Sequence, residues 1–272
     1  MTTLPETLLA SKGFAVAGWL IAFFVLERIR PAADRDLLEG RGPPSRVRRL
    51  LGDPARLLRN GCLWLINAAG GSLIVVPITA WAGGHAIGLR PVWLAGWVGL
   101  VFDIILLDFW IYWWHRANHS LPWLWRFHGI HHLDRFLDST SAARFHPGEI
   151  VLSALVRAVA IILLGIPLTS VLVFETAILM AAIFHHSNLS LPDPIERLLA
   201  RLIITPSIHW VHHHAVRHDT DSNYGTILSI WDPLFGTRSG TRRQPDMTIG
   251  VEGEGEEALT QLLLRPFRAR RP

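Results

Sequence analysis

The sequence predicts an all-α membrane protein, in which about four membrane-spanning helices carry a histidine-rich cap at one end. Half of the residues are apolar and 18% are charged, and the mean hydropathy is +0.30, which is unusual for a soluble domain. Long apolar runs recur along the chain, and most histidines cluster where these runs end. Tryptophans gather around residues 110–125, as in the aromatic belt of a membrane interface.

The apolar runs define the spans in chain order. The first covers about residues 14–26, the second 62–82 and the third 92–114. A fourth run, residues 150–184, is interrupted by Gly165-Ile166-Pro167 and therefore predicts a helical hairpin. The first arm of this hairpin is short for a full span and can thin the bilayer or re-enter it. We therefore expect about four spans.

Eleven of the 14 histidines fall into clusters with the spacing of metal ligands. The clusters are His115 and His119, then His128, His131 and His132, then His185 and His186, and finally His209 with His212, His213 and His214. Residues three and four apart share one face of a helix, so each cluster can direct two or three imidazoles to one point. Eight or more imidazoles exceed the needs of one ion, which predicts two metal ions. Imidazole suits iron, copper, nickel and zinc alike.

The pattern excludes several classes of protein. A zinc protease would show His-Glu-x-x-His, and a structural zinc module would need more cysteine than the single Cys62. Basic residues outnumber acidic ones by 26 to 22, but no groove-reading or base-stacking motif accompanies them, so nucleic acid is not expected. A metal transporter would carry its ligands near the bilayer midplane. That transporter and a zinc-dependent membrane hydrolase stay open as alternatives.

Carboxylates are expected near the histidines, because two divalent ions held by neutral imidazoles leave positive charge near a low-dielectric bilayer. Such carboxylates usually accept the second ring N–H of a ligand histidine. Asp108, seven residues before His115, lies on the same helical face as that histidine. The other acids in apolar stretches are Asp103, Glu149 and Glu175. Pairing of Glu149 with Arg144 is an alternative for that residue.

The order of these motifs resembles the fatty acid hydroxylase and sterol desaturase superfamily of membrane di-iron oxidoreductases. The resemblance covers about residues 103–237 and includes Asn223-Tyr224-Gly225 and the run from Trp231 to Thr237. It implies two iron ions, which cycle between Fe2+ and Fe3+ and which zinc can replace, dioxygen activation, and oxidation of a lipid. It also implies the metal ligands His115, His119, His128, His131, His132, His186, His209, His212 and His213.

The chain departs from this family in one place. Some members carry a further histidine about four residues before the pair His185-His186, where this chain reads Met180-Ala181-Ala182-Ile183. We therefore expect the vacancy to be filled by His185, by His146 or by a water molecule held by Asn188. Asp108 and Asn188 are accordingly our candidate catalytic residues, while His85, in a loop on the opposite side, is expected to have no metal role.

Domain organisation and placement follow from the same patterns. Residues 1–91 are expected to hold the first spans and a basic loop, residues 92–240 the catalytic region, and residues 241–272 a C-terminal tail. Nine arginines between Arg28 and Arg59 predict a cytoplasmic loop, and the histidine clusters return to that side, as in a protein of the bacterial inner membrane. A separate ferredoxin, cytochrome or reductase is expected to supply electrons. The histidine clusters do not distinguish hydroxylation, desaturation and ether cleavage.

Overall fold

The computed structural model describes residues 4–34 and 52–268, and within them the regular elements are helices joined by loops with isolated β-bridges. The expected all-α fold is confirmed. The α-helices are α1 Leu4–Ile29, α2 Pro54–Gly70, α3 Val76–Gly84, α4 Gly96–Ser120, α5 Pro122–His132, α6 Pro147–Leu164, α7 Leu168–His186, α8 Asp193–Leu199, α9 Pro206–His212, α10 Arg217–Thr220, α11 Trp231–Leu234 and α12 Leu259–Leu264. Five of the nine arginines in the basic loop lie outside the described residues.

Five helical stretches of the described chain are long and apolar enough to cross a membrane, which identifies a multi-pass membrane protein. They are α1 from Ala10, the continuous stretch of α2 and α3 joined by a π-helical turn, α4, α6 and α7. This is one more than the expected number. The difference is α6, whose 18 residues form an unbroken helix of about 27 Å, close to the thickness of a hydrocarbon core.

The predicted hairpin is formed by α6 and α7. Gly165 ends α6 in the left-handed region, with φ of 67°, where a residue without a Cβ is favoured, and Pro167 precedes the first turn of α7. The loop after α3 packs on this turn, because Ile87 N donates to Ile162 O at 2.7 Å. These loops mark the end of the bundle opposite to the histidine clusters.

The core between the spans is apolar. Leu107 of α4, Ile161 of α6 and Phe174 of α7 are buried in one cluster. Burial of such side chains within the bundle holds α4, α6 and α7 together, and these are the helices whose ends carry or adjoin the histidine clusters.

A buried ionic network fixes α2 to the segment that follows α5. Arg56 donates to Asp134 at 2.6 Å and to Asp138 at 2.6 Å, and it also contacts Ser141. All four side chains are buried. Because a buried charge is costly unless it is paired, this network fixes the start of the second span against the loop beneath the histidine cap.

The C-terminal segment, residues 244–268, packs on the cap. Met247 and Ile249 are buried against Trp210 of α9, and Leu262 of α12 is buried with Ile130 of α5. Gly250 N donates to His213 O at 3.1 Å. This segment therefore covers the two short helices that bear the second and last histidine clusters.

Candidate metal centre

Four helices bring the histidine clusters together at one end of the bundle. His115 and His119 lie in the last turns of α4. Pro122 then begins α5 directly after Leu121, since proline is well suited to the first turn of a helix and poorly suited to the middle of one. This sharp junction turns α5 back, so that its histidines face those of α4. The end of α7 supplies His186, and α9 supplies the last cluster.

Nine histidines form two compact groups. In each group, one nitrogen per ring lies within 4.8 Å of the nitrogens of the other rings, and every ring is buried. The first group comprises His115, His119, His128, His132 and His212, and the second comprises His131, His186, His209 and His213. The adjacent rings of His131 and His132 belong to different groups, as do those of His212 and His213. The structure thus contains two adjacent groups of buried histidines, each of which could hold a metal ion.

The spacing of the ring nitrogens fits metal coordination. In the second group, Nε2 of His186 lies 3.0 Å from Nε2 of His131 and 2.9 Å from Nε2 of His209. In the first group, Nε2 of His128 and Nε2 of His132 are 3.3 Å apart. Two nitrogens that bind one ion at about 2.0–2.1 Å are separated by about 3 Å when they occupy neighbouring positions.

The protonation state of the rings also fits a metal. Burial, together with the neighbouring imidazoles, lowers the pKa of five histidines that lie outside the membrane spans well below the ordinary value; these are His131, His132, His209, His212 and His213. Neutral imidazole is the form that binds metals. Nε2 of His119 and Nε2 of His212 are buried without a hydrogen-bond partner among the described residues, which is costly unless a ligand occupies the position.

The second nitrogen of several rings is held by the protein. Nδ1 of His115 donates to Tyr224 O at 2.9 Å, Nδ1 of His212 to Ser222 O at 2.6 Å, and Nδ1 of His186 to Ala182 O at 2.7 Å. Each bond places the proton on Nδ1 and leaves Nε2 free for a metal. Sequence reasoning did not identify these backbone acceptors, although the motif Asn223-Tyr224-Gly225 marks the loop that supplies two of them.

Glu149 is the acid that contacts a grouped histidine most closely. Its Oε1 accepts from Nδ1 of His128 at 2.8 Å and from Nδ2 of Asn118 at 3.2 Å. The carboxylate is buried and does not pair with Arg144, whose guanidinium donates to Ile130 O. Glu149 therefore accepts the second ring N–H of a grouped histidine, which is the role that we expected for Asp108.

Asp108 instead organises the loop before α11. Its carboxylate accepts from Ile227 N at 3.1 Å, from Leu228 N at 3.0 Å and from Nε1 of Trp231 at 2.7 Å. The loop that Asp108 holds also contains Ser222 and Tyr224, whose backbone carbonyls orient the rings of His212 and His115. Asp108 thus acts on the metal site through this loop. Asp103 and Glu175 lie farther from the cap, where they contact Ser170 and Lys12, respectively.

Three further candidates have other contacts. His146 caps α6 by accepting from Gly148 N at 2.8 Å, and its Nε2 donates to Leu263 O. His185 lies beside the second group, with its ring centroid 4.0 Å from that of His209, but it belongs to neither group. The amide of Asn188 is bonded to Ala33 N and Ala33 O. The structure therefore does not bring these three side chains into the two groups.

Two histidines that the family resemblance does not assign as ligands lie apart from the groups. Nδ1 of His85 donates to Trp81 O at the far end of the bundle, as expected for a histidine without a metal role. His214 ends the last cluster but pairs with Asp219 at 2.8 Å.

Comparisons with known proteins agree with this geometry. A family model described as fatty acid hydroxylase matches residues 100–237. The chain is 29% identical to the ornithine lipid hydroxylase OlsE of Rhizobium tropici over 62% of its own length and 50% of that protein. It is 32% identical to a cholesterol 25-hydroxylase-like protein of Danio rerio, over 55% of the chain and 57% of that protein.

A more distant match is the alkylglycerol monooxygenase of Homo sapiens, which is 30% identical over 48% of the chain and 28% of that protein. The matched region thus spans about half the length, or less, of these relatives. No solved structure matches the chain.

Proposed function

We propose a function from the fact that this chain belongs to the fatty acid hydroxylase family. It is a membrane-bound oxidoreductase, and it uses dioxygen and external electrons to hydroxylate or desaturate a lipid. The matched relatives are named as hydroxylases and monooxygenases of an ornithine lipid, of a sterol and of alkylglycerols. A lipid substrate therefore has support from three kinds of relative. A fatty acyl chain, a sterol or a related lipid is consistent with this set.

The observation that carries the proposal is the pair of buried imidazole groups at the ends of apolar spans. We assign one iron ion to each group, with the nine grouped histidines as ligands. When bound, such an iron pair supplies dioxygen activation and electron storage for the oxidation of an unactivated C–H bond. Iron is proposed over zinc because the matched relatives are named as hydroxylases and monooxygenases, and zinc has no redox chemistry with which to activate dioxygen.

The chain's own residues orient and shield the site. Backbone carbonyls at Tyr224 and Ser222 hold the rings of His115 and His212, and Glu149 holds that of His128. The C-terminal segment covers α5 and α9, and its Leu262 also packs with Leu63 of α2. Water is thereby excluded from the rings, and a lipid tail can approach from the bilayer between the spans.

The proposal includes placement and partners. We propose that the cap faces the cytoplasm of a bacterium, because arginines are concentrated in the loop before α2. Electrons then come from a separate ferredoxin, cytochrome or reductase on that side. Zinc can substitute for iron in the same nitrogen ligands, because imidazole binds both ions.

Metal analysis and oxygen consumption test this function. Protein purified without added metal should contain about two iron ions per chain, one for each histidine group. It should consume dioxygen only when a lipid and an electron donor are both present. If turnover of a confirmed substrate continues unchanged under strict anaerobiosis, the oxidoreductase is excluded and a zinc-dependent hydrolase takes its place.

A further inference from the structure

Large apolar side chains are exposed on the cap between α7 and α9. Ile195, Leu198 and Leu202 are 48%, 59% and 62% exposed, and they lie three and four residues apart, on one face of α8 and the turn after it. Arg197 and Arg201, which directly precede Leu198 and Leu202 in the chain, are also exposed. An apolar face flanked by arginines is typical of a helix that lies in a membrane interface.

A second exposed apolar strip adjoins the first. Ile230 and Leu234, on α11 and the residue before it, are 54% and 62% exposed. The two strips are joined by backbone hydrogen bonds, since Ser229 N donates to Leu202 O at 3.2 Å. We call the five residues Ile195, Leu198, Leu202, Ile230 and Leu234 the cap-side apolar surface. Contiguous patches of this kind mark sites of contact with a partner or a membrane.

The loop beneath this surface reaches into the membrane-spanning bundle. Ile227 packs against the core cluster that contains Leu107 and Phe174 of the spans. Leu228 N is bonded to Asp108, which precedes His115 by seven residues of a continuous helix. At 1.5 Å per residue, that carboxylate lies about 10 Å farther into the bundle than the histidines.

Helix α11 continues along the lipid-facing side of α4. The ring of Trp231 lies 5.2 Å from that of Phe109, and the ring of Phe235 lies 5.1 Å from that of Trp113. Trp113 is itself 41% exposed on a helix that spans the membrane. The part of the cap-side apolar surface on α11 therefore adjoins the exposed apolar side of a helix that is long and apolar enough to cross a membrane.

We propose that the cap-side apolar surface is inserted into the membrane leaflet on the side of the histidine cap, where lipid acyl chains cover it. Arg197 and Arg201 then lie at the level of the lipid phosphates. Lipid is favoured over a second protein because α11 packs along a spanning helix and because cationic side chains border the apolar face. The cap is thus partly embedded, and lipid contacts the segment whose carbonyls orient two of the grouped histidines.

Spin labels on single cysteines test this placement. Cys62 is the only cysteine, so a Cys62→Ser background is available for labels at Leu198, Leu202 and Leu234. The purified protein is reconstituted into vesicles of phosphatidylcholine and phosphatidylglycerol. Power-saturation spectra then compare collision of each label with oxygen, which enters lipid, and with a water-soluble nickel chelate. Labels at His218, whose side chain is 84% exposed, and at Gln244 serve as aqueous controls.

The three surface labels should show an oxygen-to-nickel collision ratio about tenfold higher than the controls, as expected for side chains below the phosphates. A label at Arg197, on the same helix, should give an intermediate ratio. Ratios at Leu198, Leu202 and Leu234 equal to those of the controls would overturn the proposal. Spin–spin broadening that is lost on dilution with unlabelled protein would also overturn it, because a second copy would then cover the surface.

Discussion

The nine grouped histidines are of two kinds: in one the Nδ1 atom donates to a protein oxygen, and in the other it has no such partner among the described residues. In the five-histidine group, the Nδ1 atoms of His115, His128 and His212 donate to named oxygens. In the four-histidine group, His186 alone among the described rings has such a partner, at Ala182 O. Hydrogen bonds to the outer ring nitrogen fix the tautomer and raise the basicity of a ligand. The five-histidine group should therefore hold its metal more tightly.

Replacement of Glu149 tests the strongest of these contacts. Glu149→Gln keeps an acceptor for His128 but removes the charge, whereas Glu149→Ala removes both. We expect metal affinity to fall by about 10-fold for the first variant and about 100-fold for the second. The measurement is competition with a chelator at equilibrium. Glu175→Gln is the control, since Glu175 pairs with Lys12 and Arg157 and contacts no grouped histidine, and an equal loss in this control would contradict the role of Glu149.

Single alanine substitutions test the division into two groups. His131, His132, His212 and His213 are adjacent pairs whose members belong to different groups, so loss of any one should remove bound metal or abolish activity. His85→Ala and His146→Ala should retain both, because those rings lie outside the groups. Full metal content and activity in two of the four ligand variants would disprove a shared site, and loss of metal in His146→Ala would make that ring a ligand.

At the residue scale, helical spacing was sufficient to predict which histidines come together, but not which protein atoms bind their second ring nitrogens. The structure brings together nine of the eleven histidines proposed as ligands, because residues three and four apart on a helix must share a face. His185 has the same spacing but lies beside the site, and His146, which was proposed only to fill the vacancy, caps a helix. The carbonyls of Tyr224 and Ser222 could not be identified, since every residue has a carbonyl and only the fold shows where it points.

At the scale of elements, the loop from Ser222 to Thr237 is the part that depends most on distant residues. Asp232 accepts from Tyr224 N at 2.7 Å and from Gly225 N at 2.9 Å, and Thr237 donates to the same carboxylate at 2.8 Å. Asp108 holds the middle of the loop from α4. Two buried carboxylates thus hold the irregular backbone that precedes α11.

The substitution Asp108→Asn tests whether this carboxylate holds the loop. The amide keeps the shape of the side chain but cannot accept from three donors as well as a carboxylate does, so the loop should loosen and the rings of His115 and His212 should lose their orientation. We expect metal retention or turnover to fall by about 10–100-fold, with faster hydrogen exchange at Ile227 and Leu228. Asp103→Asn, which affects contacts to Ser170 and Arg90, should leave exchange in the loop unchanged.

The helices themselves were largely predictable from apolar runs, because burial in lipid or in a helical core requires long apolar stretches. The break at Gly165 and Pro167 was also correctly located, since these residues favour a turn. The count of spans was less certain, because 18 apolar residues lie near the minimum for crossing. Helix α4 continues beyond the apolar run through His119 to Ser120, as the helical spacing of His115 and His119 predicts.

For the whole molecule, the described helices place the histidine cap and the loop after α3 at opposite ends. In the Cys62→Ser background, single cysteines at Arg135 and Gly240, both exposed on the cap, should react with a membrane-impermeant maleimide only from the cytoplasm. A cysteine at Gly84, exposed at the other end, should react only from outside. Reaction of the positions 135 and 84 from the same side would refute the topology.

The covering of α5 and α9 by residues 244–268 also sets an order of events during biosynthesis. All nine grouped histidines precede residue 214, so a ribosome delivers them before it delivers the segment that closes over them through Met247, Ile249 and Leu262. We therefore expect metal to enter while the site is still open, and we expect the finished protein to take up metal only after this segment is released. Apoprotein prepared by chelation should therefore reload slowly, and Leu262→Ala, which weakens the packing on Ile130, should speed reloading in a stopped-flow measurement.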